Sequence, residues 1–270
     1  MDQATVVLGD EGFLLPLLCQ PCCPYPPVRF PEMLECRAID SGVSHSVSGL
    51  ECETARAAAF MGYKTICDWE SLPVVYDDTG RIPRWKDSRW NGYLSSMPPS
   101  IFRSRFENRL PEMLSGSDFL EAGQMHVDAF TPVRPDAVYR VRAATRYAVE
   151  ENQRIRLFID LARNAAAESA FELMGELMYQ SHHAYTECGL GCEQTDFLMD
   201  LVRTEGPSAG LYGAKITGGG AGGTVAVLCR KGSDEAFARV VERYAAYSGV
   251  KPYVFEGSSP GADRFGVQEL

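Results

Sequence analysis

The sequence contains no apolar stretch near the roughly 20 residues that a membrane-spanning helix requires, so no spanning segment is expected. It is also short of positive charge. Lys and Arg number 26 against 36 Asp and Glu, a formal net charge of −10, and no long basic run offsets that balance. Neither nucleic acid nor an anionic membrane surface is therefore expected as a partner. Internal repeats and low-complexity segments are lacking, as is a signal-peptide pattern at the start. The 9 cysteines are odd in number and scattered, which reads as reduced thiols and predicts a cytoplasmic location. Cys19, Cys22, Cys23 and Cys36 invite a zinc reading, but an adjacent pair among prolines suits a closed tetrahedral site poorly, and no metal ligands are assigned.

What is present is a globular composition: 45% hydrophobic and 23% charged residues over 270 positions, with room for one or two domains. The most informative stretch is 212–230, YGAKITGGGAGGTVAVLCR. Two apolar arms, 214–217 and 224–229, flank Gly218, Gly219, Gly220, Ala221, Gly222 and Gly223. The second arm, rich in Val and Thr, reads as a buried strand, so the glycines form a loop between strands. Glycine admits positive φ and lets backbone N–H groups approach a bound anion. A flexible hairpin tip explains the same composition.

Three sharper patterns compete for the loop. Gly218, Gly220 and Gly223 satisfy G-x-G-x-x-G, but a dinucleotide fingerprint needs a helix next, and 224–229 is a strand former. With Val225 the loop matches the protein-kinase glycine loop, yet no H-R-D or D-F-G follows. A P-loop fails because no Gly-Lys-Ser/Thr is present. A glycine hairpin near phosphate survives.

Elsewhere, 6–8 and 13–19 read as short strands around a turn at 9–12, and 20–27 as a proline-rich loop. A strand over 34–39 runs into Asp40-Ser41-Gly42-Val43-Ser44-His45-Ser46. From Gly49 the pattern is helical, with Ala55, Ala58, Ala59 and Gly62 on one tightly packing face. Residues 77–91 read as a loop, 100–110 and 118–122 as short helices, and 139–164, 165–186 and 192–204 as longer ones. A helix over 234–247 and a strand over 252–255 follow the hairpin. This order predicts an α+β fold, an antiparallel sheet covered by helices on one face.

These segments resemble the GHMP (galacto-, homoserine-, mevalonate- and phosphomevalonate-) kinases over nearly the whole chain. KITGGGAGGT is similar to the family's third motif, and His182 within Leu177-Met178-Tyr179-Gln180-Ser181-His182 is similar to the preceding helix of its sugar kinases. Asp40-Ser41-Gly42-Val43-Ser44-His45-Ser46-Val47 resembles a strand-end segment of galactokinases and, more closely, of plant-type L-arabinokinases. Ala58-Ala59-Phe60-Met61-Gly62, Cys188-Gly189-Leu190-Gly191 and 255–262 strengthen the latter match. The resemblance implies the family's C-terminal ferredoxin-like α/β sandwich over 96–270, with a remnant of the N-terminal kinase domain over 1–95.

It also implies a reaction, the phosphorylation by ATP, with Mg²⁺, of the anomeric hydroxyl of a monosaccharide, L-arabinose before D-galactose. Met1-Asp2-Gln3 resembles the end of the G-x-M-D-Q segment whose aspartate is the proposed base, making Asp2 the catalytic candidate. A carboxylate there accepts or orients the attacking hydroxyl's proton; a solvated terminal residue is the plain alternative. The family's serine-rich phosphate loop does not occur in the sequence, so a chain covering the C-terminal part of a sugar kinase is expected. Asp40, Ser41 and Gly42 are expected beside the substrate, although turn-making alone accounts for them. The hairpin Gly218, Gly219, Gly220, Ala221, Gly222 and Gly223 is expected on the nucleotide and phosphate side. Arg56 is either a phosphate-side cation or an exposed helix arginine, and His45 is read as holding its turn. His182 and His183 face different ways on a helix and form no metal site. Cys52 stands where sugar kinases carry a tyrosine facing the sugar, and a thiol is smaller and a weaker donor. The alternative is a catalytically silent sugar- or nucleotide-binding relative, or a structural one.

Overall fold

The computed structural model describes residues 2–19, 23–44, 49–76, 83–122, 125–164 and 167–266, with the backbone alone at Asp2, Tyr76 and 83–85. Helix α1 (Asp2–Leu8) comes first. Four two-residue strands follow, β1 (Phe13–Leu14), β2 (Leu17–Leu18), β3 (Cys23–Pro24) and β4 (Val28–Arg29), pairing β1 with β4 and β2 with β3. Strand β5 (Leu34–Asp40) leads to helix α2 (Leu50–Trp69). A ribbon of β6 (Val74–Tyr76) and β7 (Pro83–Trp85) precedes helix α3 (Pro99–Arg105). Strand β8 (Leu114–Ser115), helix α4 (Gly116–Glu121) and strand β9 (Val138–Tyr139) lead into helices α5 (Val141–Asn164) and α6 (Glu168–Glu187). Helix α7 (Glu193–Glu205), strands β10 (Leu211–Ile216) and β11 (Thr224–Arg230), helix α8 (Asp234–Ser248), strand β12 (Val254–Phe255) and helix α9 (Ala262–Phe265) follow.

The main sheet is antiparallel throughout, in the order β10-β11-β5-β12. Its register sets Thr224 opposite Asp40, and Val225 opposite both Ile216 and Ile39. The glycine hairpin and the turn after Asp40 therefore leave the sheet at the same end. Alternation along the strands divides the core. Ile39, Ala214, Val225, Val227 and Cys229 pack against Leu198, Leu201 and Val202 of α7 and Phe237 and Val240 of α8. Leu34, Tyr212 and Leu228 meet Phe171 and Met174 of α6 and Ala162 of α5 in a second cluster. A third joins α2 to α5 through Met61, Ile66, Val141 and Val149.

Strand β10 ends the sheet, and an uncovered edge would offer its backbone groups to another chain. Helix α6 lies along that edge. The approach is backbone to backbone, since a Cβ at Gly175 would lie 2.0 Å from the Tyr212 carbonyl oxygen.

The mixed α/β class, the long helices and the strands of the main sheet match the sequence reading. Helices α7 and α8 pack on one face of the sheet, while α6, with Ala162 of α5, meets the other at Leu34, Tyr212 and Leu228. Residues 6–8 belong to α1 and not to a strand; three apolar residues carry no period, and α1 is held by packing on α9 and by the Gly261 N–H donating to the Gly9 carbonyl at 2.9 Å. Nor is 77–91 simply a loop. Residues 83–85 pair with β6, and beyond them Asp87 accepts from the Trp90 N–H at 3.0 Å and from the Tyr63 hydroxyl at 2.5 Å.

Gly175→Ala should lower the unfolding free energy by about 2 kcal/mol or more, because the methyl can only be admitted by moving α6 off β10. Urea unfolding at neutral pH measures this; an unchanged midpoint would mean that α6 does not sit this close.

Candidate functional site

A loop of five glycines in six residues has much conformational freedom to lose. Here it is held from four directions. The Ala221 N–H donates to the Leu190 carbonyl at 2.6 Å, and the Gly223 N–H to the Val43 carbonyl at 3.0 Å. The Tyr185 hydroxyl donates to the Gly218 carbonyl at 2.9 Å, and the Cys52 thiol to the Gly219 carbonyl at 2.8 Å. Close approach, besides φ values of 82° and 129°, requires glycine at 220 and 222. A Cβ at Gly220 would lie 2.6 Å from the Leu190 oxygen, and one at Gly222 2.8 Å from the Val43 oxygen. Ala221 itself takes a left-handed φ of 59°, held there by its bond to Leu190.

The turn after β5 is built into the same assembly. The Ser41 N–H donates to the Gly223 carbonyl at 2.8 Å, while the Ser41 carbonyl accepts the Tyr244 hydroxyl of α8 at 2.6 Å. Asp40 Oδ1 accepts the Gly42 N–H at 2.9 Å, the Asx-type closure expected of Asp before Ser-Gly. The structure thus brings Asp40, Ser41 and Gly42 beside 218–223. Ser41 is buried, leaving Asp40 and Gly42 the more accessible of the three.

Cys52 and Gly219 line a cavity of about 620 Å³ with Tyr185 and Leu190 behind them. Ala55 and Ala59, on the same face of α2 as Cys52, and Tyr147 and Glu151 of α5 also line it, so the small residues of α2 clear space here as well as packing. Burial pushes the Cys52 thiol up, with Glu51 and Glu53 adding to the effect. It therefore keeps the proton that its bond to Gly219 needs.

Other candidates fall differently. Arg56 lines the same cavity but already holds Asp128 through two bonds of 2.8 and 2.9 Å. Burial opposes ionisation of Asp128, yet hydrogen bonds from Arg56 and Thr131 hold its carboxyl down at about 2. Asp2 lies in α1, which packs on α9; its side chain, and His45 to Val47, lie outside the described residues. His182 is a structural peg. Its Nδ1 accepts the Ile216 N–H at 3.1 Å, so the proton of the neutral ring sits on Nε2 and is donated to Asp196 Oδ1 at 2.8 Å.

Sequence reasoning missed Tyr185 and Lys215. Lys215 Nζ donates to the Ile216 carbonyl at 2.9 Å and lies 5.3 Å from the Tyr185 ring centroid. Burial lowers its pKa against the opposing pull of Glu151. Lys215 stood next to the glycine motif and was accessible to inspection; Tyr185 had no local signal, being 33 residues from its partner.

Residues 162–246 match the family model for the GHMP kinases C terminal. The chain is 34% identical to an L-arabinokinase of Arabidopsis thaliana, over 100% of this chain and 28% of that protein. It is 26% identical to a galactokinase of Chloroflexus aggregans, over 92% of this chain and 50% of the other. Its fold is similar to that of Lactococcus lactis galactokinase complexed with galactose, with a TM-score of 0.68 at 15% identity, covering 96% of this chain and 54% of that one. The chain thus spans between about a quarter and a half of these relatives.

The His182 peg has a consequence for pH. Burial, outweighing the opposing pull of Asp196, lowers its pKa below the ordinary 6.5. Below that pH the unfolded chain takes up more protons, so stability falls as pH drops from about 6.5 toward the folded value. His182→Asn keeps an acceptor for Ile216 and removes the titration. The loss of melting temperature between pH 7.5 and 5.5 should shrink in this variant, with a remainder from His126, whose pKa burial also lowers. An unchanged pH dependence would contradict the lowered pKa of His182.

Proposed function

For a chain that carries a GHMP-kinase C-terminal domain and has L-arabinokinase and galactokinases as homologues, we propose a part in ATP-dependent phosphorylation of the anomeric hydroxyl of a monosaccharide, L-arabinose ahead of D-galactose. One observation carries this reading. Ala221 and Gly223 turn their N–H groups inward, while among the described residues those of Gly218, Gly219, Gly220 and Gly222 have no partner within the chain. Of these, Gly219 lines the cavity, while Gly220 and Gly222 are buried; a fixed amide donor at a cavity wall suits a phosphate oxygen and needs no reorganisation when charge arrives.

ATP supplies the phosphoryl group, and the residues present fit its phosphates through these amides. Among the described residues no three His, Cys, Asp or Glu side chains are grouped to hold a metal, and Mg²⁺ commonly takes one or two carboxylates together with substrate phosphates. Mg²⁺ would arrive with the nucleotide, and no step is assigned to it. Asp2 is the proposed base, on the family resemblance. Asp40 and Gly42 would bound the sugar near the hairpin, with Cys52 in place of the family's tyrosine. That thiol, smaller than a phenol and already bonded to Gly219, favours a second reading, a relative that binds nucleotide or sugar without turnover.

Titration calorimetry with ATP, and ADP release with L-arabinose or D-galactose, separate the two. The kinase reading expects sugar-dependent ADP release that falls about 10²- to 10⁴-fold in Asp2→Asn with ATP affinity unchanged. Binding without turnover supports the silent relative. Absence of both nucleotide and sugar binding contradicts both.

A further inference from the structure

Beside the hairpin cavity lies a larger one of about 720 Å³, between the segment 95–103 and α5. The two share Ser95 and Asn152 as lining residues, and the Asn152 Nδ2 group donates to the Ser95 carbonyl at 2.7 Å to form the partition. Neither the glycines nor Cys52 lines the larger cavity.

Its lining is unusual in this chain. Ser95, Ser96 and Ser100 present hydroxyls from one wall, and Gln153 and Arg156, at positions i and i+3 of α5, come from the other. Among the described residues, none of these five side chains makes a hydrogen bond or ion pair within the chain. The arginines nearby are engaged. Arg103 binds Glu150 at 2.6 and 2.9 Å, and Arg154 binds Glu150 at 2.8 Å and Glu151 at 2.6 Å. Arg156 is thus a cation without a counter-charge, in a chain whose net charge is −10. The serine-bearing wall is firm: Met97 and Phe102 are buried beneath it, and Pro98 and Pro99 fix its backbone.

We propose that this cavity binds a phosphate group, free or carried on a small sugar. A guanidinium matches phosphate oxygens in a forked, charge-assisted arrangement, and a tetrahedral oxyanion has acceptors enough for the hydroxyl and amide donors around it. The volume exceeds that of a lone phosphate and lies within the range of small-molecule sites, which leaves space for a hydroxylated carbon skeleton beside Gln153.

The test is titration calorimetry of the 270-residue chain at constant ionic strength with inorganic phosphate, and separately with galactose 1-phosphate. Saturable binding that weakens about tenfold or more in Arg156→Gln supports the site. This substitution breaks no hydrogen bond or ion pair, and circular dichroism should confirm an unaltered fold. Equal affinity for the two probes identifies free phosphate as the ligand; tighter binding of the sugar phosphate, reduced by Gln153→Ala, identifies the phosphorylated sugar. No saturable heat with either probe at millimolar concentration, or affinity unaffected by Arg156→Gln, overturns the proposal. Because Arg156 lines a cavity that none of the hairpin glycines lines, the result is independent of whether the hairpin binds nucleotide.

Discussion

Two backbone bonds, from Ala221 to Leu190 and from Gly223 to Val43, decide what the glycine hairpin is. Without them the sequence between β10 and β11 would be a tip with several positive-φ residues and little reason to prefer one shape. With them, its amides are sorted into two that are bonded within the chain and four that are not. The sorting depends on residues from three parts of the chain. Val43 follows β5, Leu190 follows α6, and the supporting Cys52 and Tyr185 come from α2 and α6. The same bonds carry the load onward, since Ser41 joins Gly223 to Tyr244 of α8. Fixing a glycine loop is entropically unfavourable, and the close packing at Gly220 and Gly222 offsets that cost only because neither has a side chain.

Electrostatics reinforces this separation of roles. Around the hairpin cavity the formal charges are mostly spoken for, Arg56 by Asp128 and Glu151 by Arg154. The donors that remain there are uncharged amides. Arg156, which makes no ion pair among the described residues, lines the cavity on the far side of Asn152. An acidic chain can present anion-binding groups only where local pairing leaves them unopposed, and these are two such places.

The parts of this arrangement that were readable in the sequence are those with local causes. Strands β5 and β11 and helices α2, α5 and α8 declare themselves through apolar period over seven residues or more. The glycine spacing marks the hairpin, and Asp40-Ser41-Gly42 marks its turn by its own side-chain chemistry. What could not be read has causes distant in sequence. Residues 6–8 form helix because α9 lies against them. Arg56 is neutralised by an aspartate 72 positions away, and the hydroxyl of Tyr185 finds its carbonyl across 33. Leu190 takes part through its backbone oxygen, which no choice of residue type advertises.

Amide hydrogen exchange across 217–224, with and without ATP, addresses the central point most directly. Protection of Ala221 and Gly223 in the free chain is expected, with fast exchange at the more accessible Gly218 and Gly219 that slows when nucleotide is added. Uniformly fast exchange across all six residues, unaltered by nucleotide, would show instead a loose tip that holds no phosphate.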